Sequence, residues 1–189
     1  MKWRTSLILA IVALALPALA ATELDQRVAA SRQVIKAFAG NLKEHLIAGI
    51  KEGGPLNAIG MCQLVAPDIA ASQSLASGWR VGRTSLKTRN PANAPDEWER
   101  MVLEDFESRK AAGEAAKTLD YAAFELLDGQ RVFRYMKAIP TAEVCLNCHG
   151  RSLAAPVAAR LDELYPHDTA RGFSTGDIRG AFTIVQPLE

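Results

Sequence analysis

The stretch Tyr121-Ala122-Ala123-Phe124-Glu125-Leu126-Leu127, then Asp128-Gly129, then Gln130-Arg131-Val132-Phe133-Arg134-Tyr135-Met136-Lys137-Ala138-Ile139 decides the fold. Two runs carrying aromatic and β-branched residues flank a two-residue Asp-Gly pair, the turn whose twist matches that of a tight antiparallel hairpin. Working outward, Trp79 to Thr84 reads as an earlier strand and Arg179 to Gln186 as a final one. Between the first strand and the hairpin, Lys87 to Pro95 is a loop of turn formers. Asp96 then caps a helix carrying Trp98, Met101, Val102, Leu103 and Phe106, which fades near Gly113. A short helix is expected from about Val157 to Leu164. Helices and strands do not alternate as a parallel sheet requires, so the fold class is α+β around a small antiparallel sheet.

The chain before Trp79 reads as helical. Thr22 is a plausible N-cap, with Glu23 and Asp25 in the first turn where the helix dipole favours negative charge. Leu24, Val28, Ile35, Phe38 and Leu42 form one stripe at helical spacing, continuing through His45 and Leu46 to Ile50. Gly53-Gly54-Pro55 ends it, giving a helix on the order of 40 Å long. A stripe that long exceeds what a small domain buries, so part of it is expected to pack on a second copy, as a homodimer, or to project into solvent. His45 on or beside the stripe is expected to be a packed histidine, not a ligand. Pro55 opens a second helix with Leu56, Ile59, Cys62 and Ala66 on one face, and Pro67 a third that ends at Gly78. The expected divisions are 1–20 for export, 21–52 for the long helix and 53–189 for the remaining domain.

Lys2 and Arg4 precede an apolar run, Leu7 to Leu16, followed by Pro17 and Ala18-Leu19-Ala20. That is the pattern of a secretory signal peptide cleaved near Ala20/Ala21, with a core of about ten residues, too short to span a membrane. In a bacterium it implies the periplasm. No second hydrophobic stretch follows, so no membrane span is expected after cleavage. Lys and Arg number 22 and Asp and Glu 21; without Lys2 and Arg4 the cations fall to 20, one fewer than the acids. No basic excess points to nucleic acid.

The chemistry is concentrated in Cys145-Leu146-Asn147-Cys148-His149. Cys-x-x-Cys-His is the attachment pattern of a c-type haem. Cys145 and Cys148 can each form a thioether to one porphyrin vinyl group, and the adjacent His149 is carried under the ring to the iron as proximal ligand. A redox-active dithiol is the first rival, but no βαβ pattern leads into Cys145. Zinc is the second, and would need two more ligands from Cys62, His45 and His167. Neither explains a histidine directly after the second cysteine. One covalent haem c is therefore expected. An all-helical cytochrome would also carry its motif late in the chain, but the Asp128-Gly129 hairpin and the residues after His149 speak against that bundle.

With three cysteines in the chain, Cys62 is left over. On residue chemistry alone the sixth position of the iron is open to Met61, Met101, Met136, His45, His167 and Cys62, and Cys62 is equally a small buried apolar residue. Met61 and Cys62 lie about 100° apart on a helix, so only one faces the iron. Arg83, Arg89 and Arg134 are candidates to meet the haem propionates.

Several stretches, in order, resemble one family: Ala58-Ile59-Gly60-Met61-Cys62, Val81-Gly82-Arg83-Thr84-Ser85-Leu86, Arg89 to Glu99, Phe133-Arg134-Tyr135-Met136, the Cys145 to Gly150 motif, Tyr165-Pro166-His167-Asp168, and Gly176-Asp177-Ile178-Arg179-Gly180-Ala181. It is an exported haem-c domain with a PAS-like sheet, long catalogued as a domain of unknown function. The resemblance implies a sheet of about five antiparallel strands with a long N-terminal helix. It also implies one covalent haem held axially by a motif histidine and an upstream cysteine thiolate, which fall here on His149 and Cys62.

A thiolate stabilises ferric iron and lowers the reduction potential. The expected function is a low-potential, one-electron periplasmic carrier working with an unidentified redox partner. The alternative is a sensor of redox state or of nitric oxide or carbon monoxide, acting through a partner protein. An enzyme is not expected, because the sixth position is taken and no distal acid or base is evident.

Overall fold

The computed structural model describes residues 12–188, with side chains from Thr22 onward. The expected export signal over 1–20 lies largely outside the described residues; from Val12 the backbone is helical. Among the described residues no helix is long and apolar enough to cross a membrane.

One long helix, α1 (Val12–Ser77), is bent at Gly53 and Gly54, whose backbone leaves the helical region. Gly54 takes φ 72° and ψ −168°, a conformation that a side chain would strongly disfavour. The expected second and third helices are thus a single segment after the bend. Pro67 lies inside it without a break: its fixed φ suits a helix, and it only leaves out one backbone hydrogen bond. Ala66 and Ile69 on either side are buried, and their packing holds the segment straight through the proline.

Strands β1 (Arg80–Thr84), β2 (Asp120–Leu127), β3 (Gln130–Pro140) and β4 (Ile178–Pro187) form one antiparallel sheet in the order β1-β4-β3-β2. The sheet has four strands among the described residues, where about five were implied. The hairpin forms as expected, with Asp128 and Gly129 both at positive φ, as a type I′ turn needs. Helix α2 (Glu97–Ala111) begins with a reciprocal capping box between Asp96 and Glu99.

The central strand β3 is buried on both faces because a helix covers each. On one side Ile35, Phe38 and Ile69 of α1 pack on Phe133, Tyr135, Phe182 and Ile184. On the other, Val102, Leu103 and Phe106 of α2 pack on Met136, Ala138 and Ala181. The α1 stripe from Leu24 through Leu42 lies on the sheet, and Leu46 and Ile50 continue it as cavity wall. Over that length the stripe is used within the chain itself. Beyond β3, the single-turn helix α3 (Leu146–His149) and helix α4 (Ala155–Leu164) close the molecule. Val157 and Leu161 of α4 pack on Ile59 of α1, with Cys148 and Tyr165 against the same cluster.

Candidate functional site

The segment of α1 after the bend, strand β1 and α3 enclose a cavity of about 760 Å³, within the roughly 300–1,000 Å³ range of small-molecule and cofactor sites. Cys62, Cys145, Cys148 and His149 all line it. Cys62 arrives there because it shares a helix face with Ile59 and Ala66, which line the same wall. Cys145 and Cys148 arrive together because the chain from Glu143 turns helically, and residues three apart lie on one face. The three cysteines are free thiols. Burial pushes the Cys62 thiol up, against the opposing charges of Arg83 and Arg89, and burial likewise raises Cys148.

His149 is fixed by its backbone neighbours. Its Nδ1 lies 2.8 Å from the Ala170 carbonyl oxygen, so Nδ1–H donates there and the lone pair is on Nε2. A metal-binding histidine is oriented by just such an outer hydrogen bond. Nε2 meets two long contacts, 3.4 Å to Arg89 and 3.5 Å to Arg179. Burial, followed by the charges of Arg179 and Arg89, holds the imidazole neutral, with its pKa well below the ordinary range.

Two residues that sequence reasoning did not single out, Asp168 and Arg179, surround this ring. Arg89 Nε lies 3.2 Å from Asp168 Oδ1 as an ion pair, and Arg89 also donates to the carbonyl oxygens of Cys148 and Ala170. Asp168 accepts from the Ala170 amide and from Arg171 Nε, each at 2.8 Å. Burial raises the Asp168 carboxyl, but Arg171, Arg89 and the Ala170 amide outweigh it and hold it below the usual range. Arg179 Nε lies within 3.5 Å of both ring nitrogens of His149, and burial beside Arg89 and Arg83 pushes its guanidinium down to about 10. A signal for both was present, since each sits inside a motif stretch, and Arg179 is the one charged residue in its strand.

The other candidates disperse. Met136 is fully buried in the core under α2, and Met101 is 57% exposed on that helix. Met61 points its sulfur toward Asn57. His45 is half-buried with Nδ1 on the Asn41 carbonyl, and His167 is exposed. None of the five lines the cavity, whereas Cys62 does. Arg134 is removed from the propionate candidates as well. It lies outside the cavity lining, ion-paired to Asp96 at 2.7 Å and Glu99 at 3.4 Å and stacked over Trp98.

A neutral imidazole anchored through Nδ1, two cysteines on one turn, a third cysteine on another wall and a lining of apolar side chains and arginines fit a haem. The arrangement defines an α+β protein with a cysteine- and histidine-lined cofactor cavity. Its sequence matches the Tll0287-like family model over residues 14–187, and the chain belongs to that family. Its structure is similar to the crystal structure of the cyanobacterial heme-protein Tll0287, with a TM-score of 0.61 and 26% identity over 89% of this chain and 96% of that one. No curated protein matches.

Proposed function

We propose that the chain is an exported, periplasmic mono-haem c-type cytochrome acting as a low-potential one-electron carrier. The observation that carries this reading is the convergence of Cys62, Cys145, Cys148 and His149 on one cavity. The likeness to a haem protein supports it. A haem bound there supplies a one-electron ferric/ferrous couple. Cys145 and Cys148 would hold it covalently, His149 would ligate through Nε2, and Cys62 would cap the other face as thiolate. The thiolate donates electron density and favours the oxidised state, which sets the potential low. With both axial positions filled from the chain, electron exchange with a partner protein is assigned in preference to catalysis.

The test is the intact protein produced with haem-attachment machinery. One haem mass and a low-spin oxidised spectrum with thiolate features that vanish in Cys62→Ser are expected; an unchanged spectrum in that variant sinks the ligand assignment. One observation favours the second reading, a haem-based sensor. Cys62 rides on the same helix as the N-terminal arm, joined to it at the Gly53–Gly54 bend, so release of the thiolate would move that arm. Reduced wild-type protein that refuses carbon monoxide supports the carrier, and uptake without loss of Cys62 from the chain supports the sensor.

A further inference from the structure

Arginines around the cavity divide into those the protein satisfies and those it does not. Arg89 is committed to Asp168 and to two backbone carbonyls, and Arg134 to Asp96 and Glu99. Arg80 also lines the cavity but is exposed to solvent, so Arg83 and Arg179 remain. Both line the cavity, and among the described residues neither has a carboxylate within ion-pair distance. The contact described for Arg83 is with the Phe38 ring, 5.6 Å from its centroid. Arg179 donates from Nη1 to Ser85 Oγ and to the Lys87 carbonyl oxygen, each at 3.2 Å, and places Nε beside His149. Both are half-buried, where a cation without counter-charge is costly, and guanidinium forks are shaped for carboxylates.

Building on the haem reading above, we propose that Arg83 and Arg179 are the two residues that receive the cofactor's propionate carboxylates. The charges agree. Of the charges beside the cavity, Arg80 and Asp96 are exposed to solvent and Arg134 offsets Glu99, which leaves Arg83, Arg89 and Arg179 against Asp168, two surplus positive charges. Ferric haem with both propionates ionised carries one net negative charge and the Cys62 thiolate a second, so the filled ferric site is neutral. Reduction would add a negative charge to a desolvated site, which agrees with a low potential. Arg89, by contrast, is a positioning residue for His149.

The experiment compares intact haem-loaded wild type with Arg83→Gln, Arg179→Gln, Arg83→Lys and Arg179→Lys. It reads haem mass, the propionate bending bands in the resonance Raman spectrum, and the reduction potential. Each Gln variant is expected to shift the propionate bands and lower the potential, because a positive charge that disfavours ferric iron is gone. Each Lys variant is expected to keep the potential near wild type. Haem-loaded Gln variants with wild-type bands and potential overturn the assignment while leaving the haem reading intact. If a Gln variant does not load, its Lys partner decides: bands shifted with potential retained support the assignment, and bands unmoved overturn it. Wild type without haem overturns both.

Discussion

Arg89 and Asp168 form an ion pair at 3.2 Å in which the carboxylate side chain is only 1% exposed. The pair joins the loop after β1 to the segment whose Ala170 carbonyl accepts from His149. Replacing Asp168 by Asn leaves Arg89 without its counter-charge in a nearly dry setting. Breaking a buried pair from one side costs about 3 kcal/mol, which for a chain of this size is a fall in Tm of roughly 6–12 °C. Thermal denaturation followed by circular dichroism checks this; a Tm within a degree or two of wild type would show that the pair is not a keystone of the loop.

A second prediction concerns Gly150, directly after the motif histidine. A Cβ there would lie 2.6 Å from the Leu146 carbonyl oxygen, which accepts from the Gly150 amide. That oxygen is backbone and cannot swing aside, so Gly150→Ala must open the turn that carries Cys148 and His149. Overpacking of this kind costs about 1–3 kcal/mol. Intact-mass measurement should show reduced haem attachment against a wild-type control, and full attachment with an unchanged spectrum would count against the crowding argument.

Acid sensitivity is expected from a cluster remote from the cavity. Partial burial raises the Asp120 carboxyl, but hydrogen bonds from Tyr135 and Arg32 and the charge of Lys137 outweigh it and hold the pKa below its ordinary value. The folded-state pKa lies under the unfolded one, so the stabilisation is complete above the unfolded value, about 3.9, and is lost as pH falls through the folded one. Urea midpoints at pH 7 and near pH 3 should differ less in Asp120→Asn than in wild type. An equal difference would remove Asp120 from the acid transition.

The hairpin was legible because its signal is local: an Asp-Gly pair between two β-rich runs dictates its own pairing. The Asp96–Glu99 capping box sits within four residues and was legible as a helix start for the same reason. Pro67 misled because proline's local rule favours a helix start, whereas the buried Ala66 and Ile69 carry the helix through it. At the site, Cys145, Cys148 and His149 stood out as a contiguous motif, and Cys62 as a leftover thiol. The work of Arg89, Asp168 and Arg179 was hidden, since it depends on partners far along the chain: Arg89 reaches Cys148 across 59 positions and Arg179 reaches His149 across 30. No residue spacing announces such contacts.

The bend at Gly53–Gly54 aims the Cys62-bearing half of α1 across the cavity, and it supports the last prediction. Gly54 combines φ 72° with ψ −168°, a region that essentially only glycine occupies, and a side chain there costs about 1–3 kcal/mol. No atom lies within 4 Å of a Cβ placed at Gly54, so the cost of Gly54→Ala is backbone strain and not collision. The chain relieves it by changing the bend, which displaces the segment carrying Ile59, Cys62 and Ala66. Gly54→Ala should therefore lower the denaturation midpoint and, in haem-loaded protein, weaken thiolate features while leaving the covalent attachment at Cys145 and Cys148 in place. Gly40→Ala, in the regular first half of the same helix and with open space around its Cβ, should instead be neutral or stabilising by up to about 1 kcal/mol. Matching losses in the two variants would mean that the bend has no special part in bringing Cys62 to the cavity.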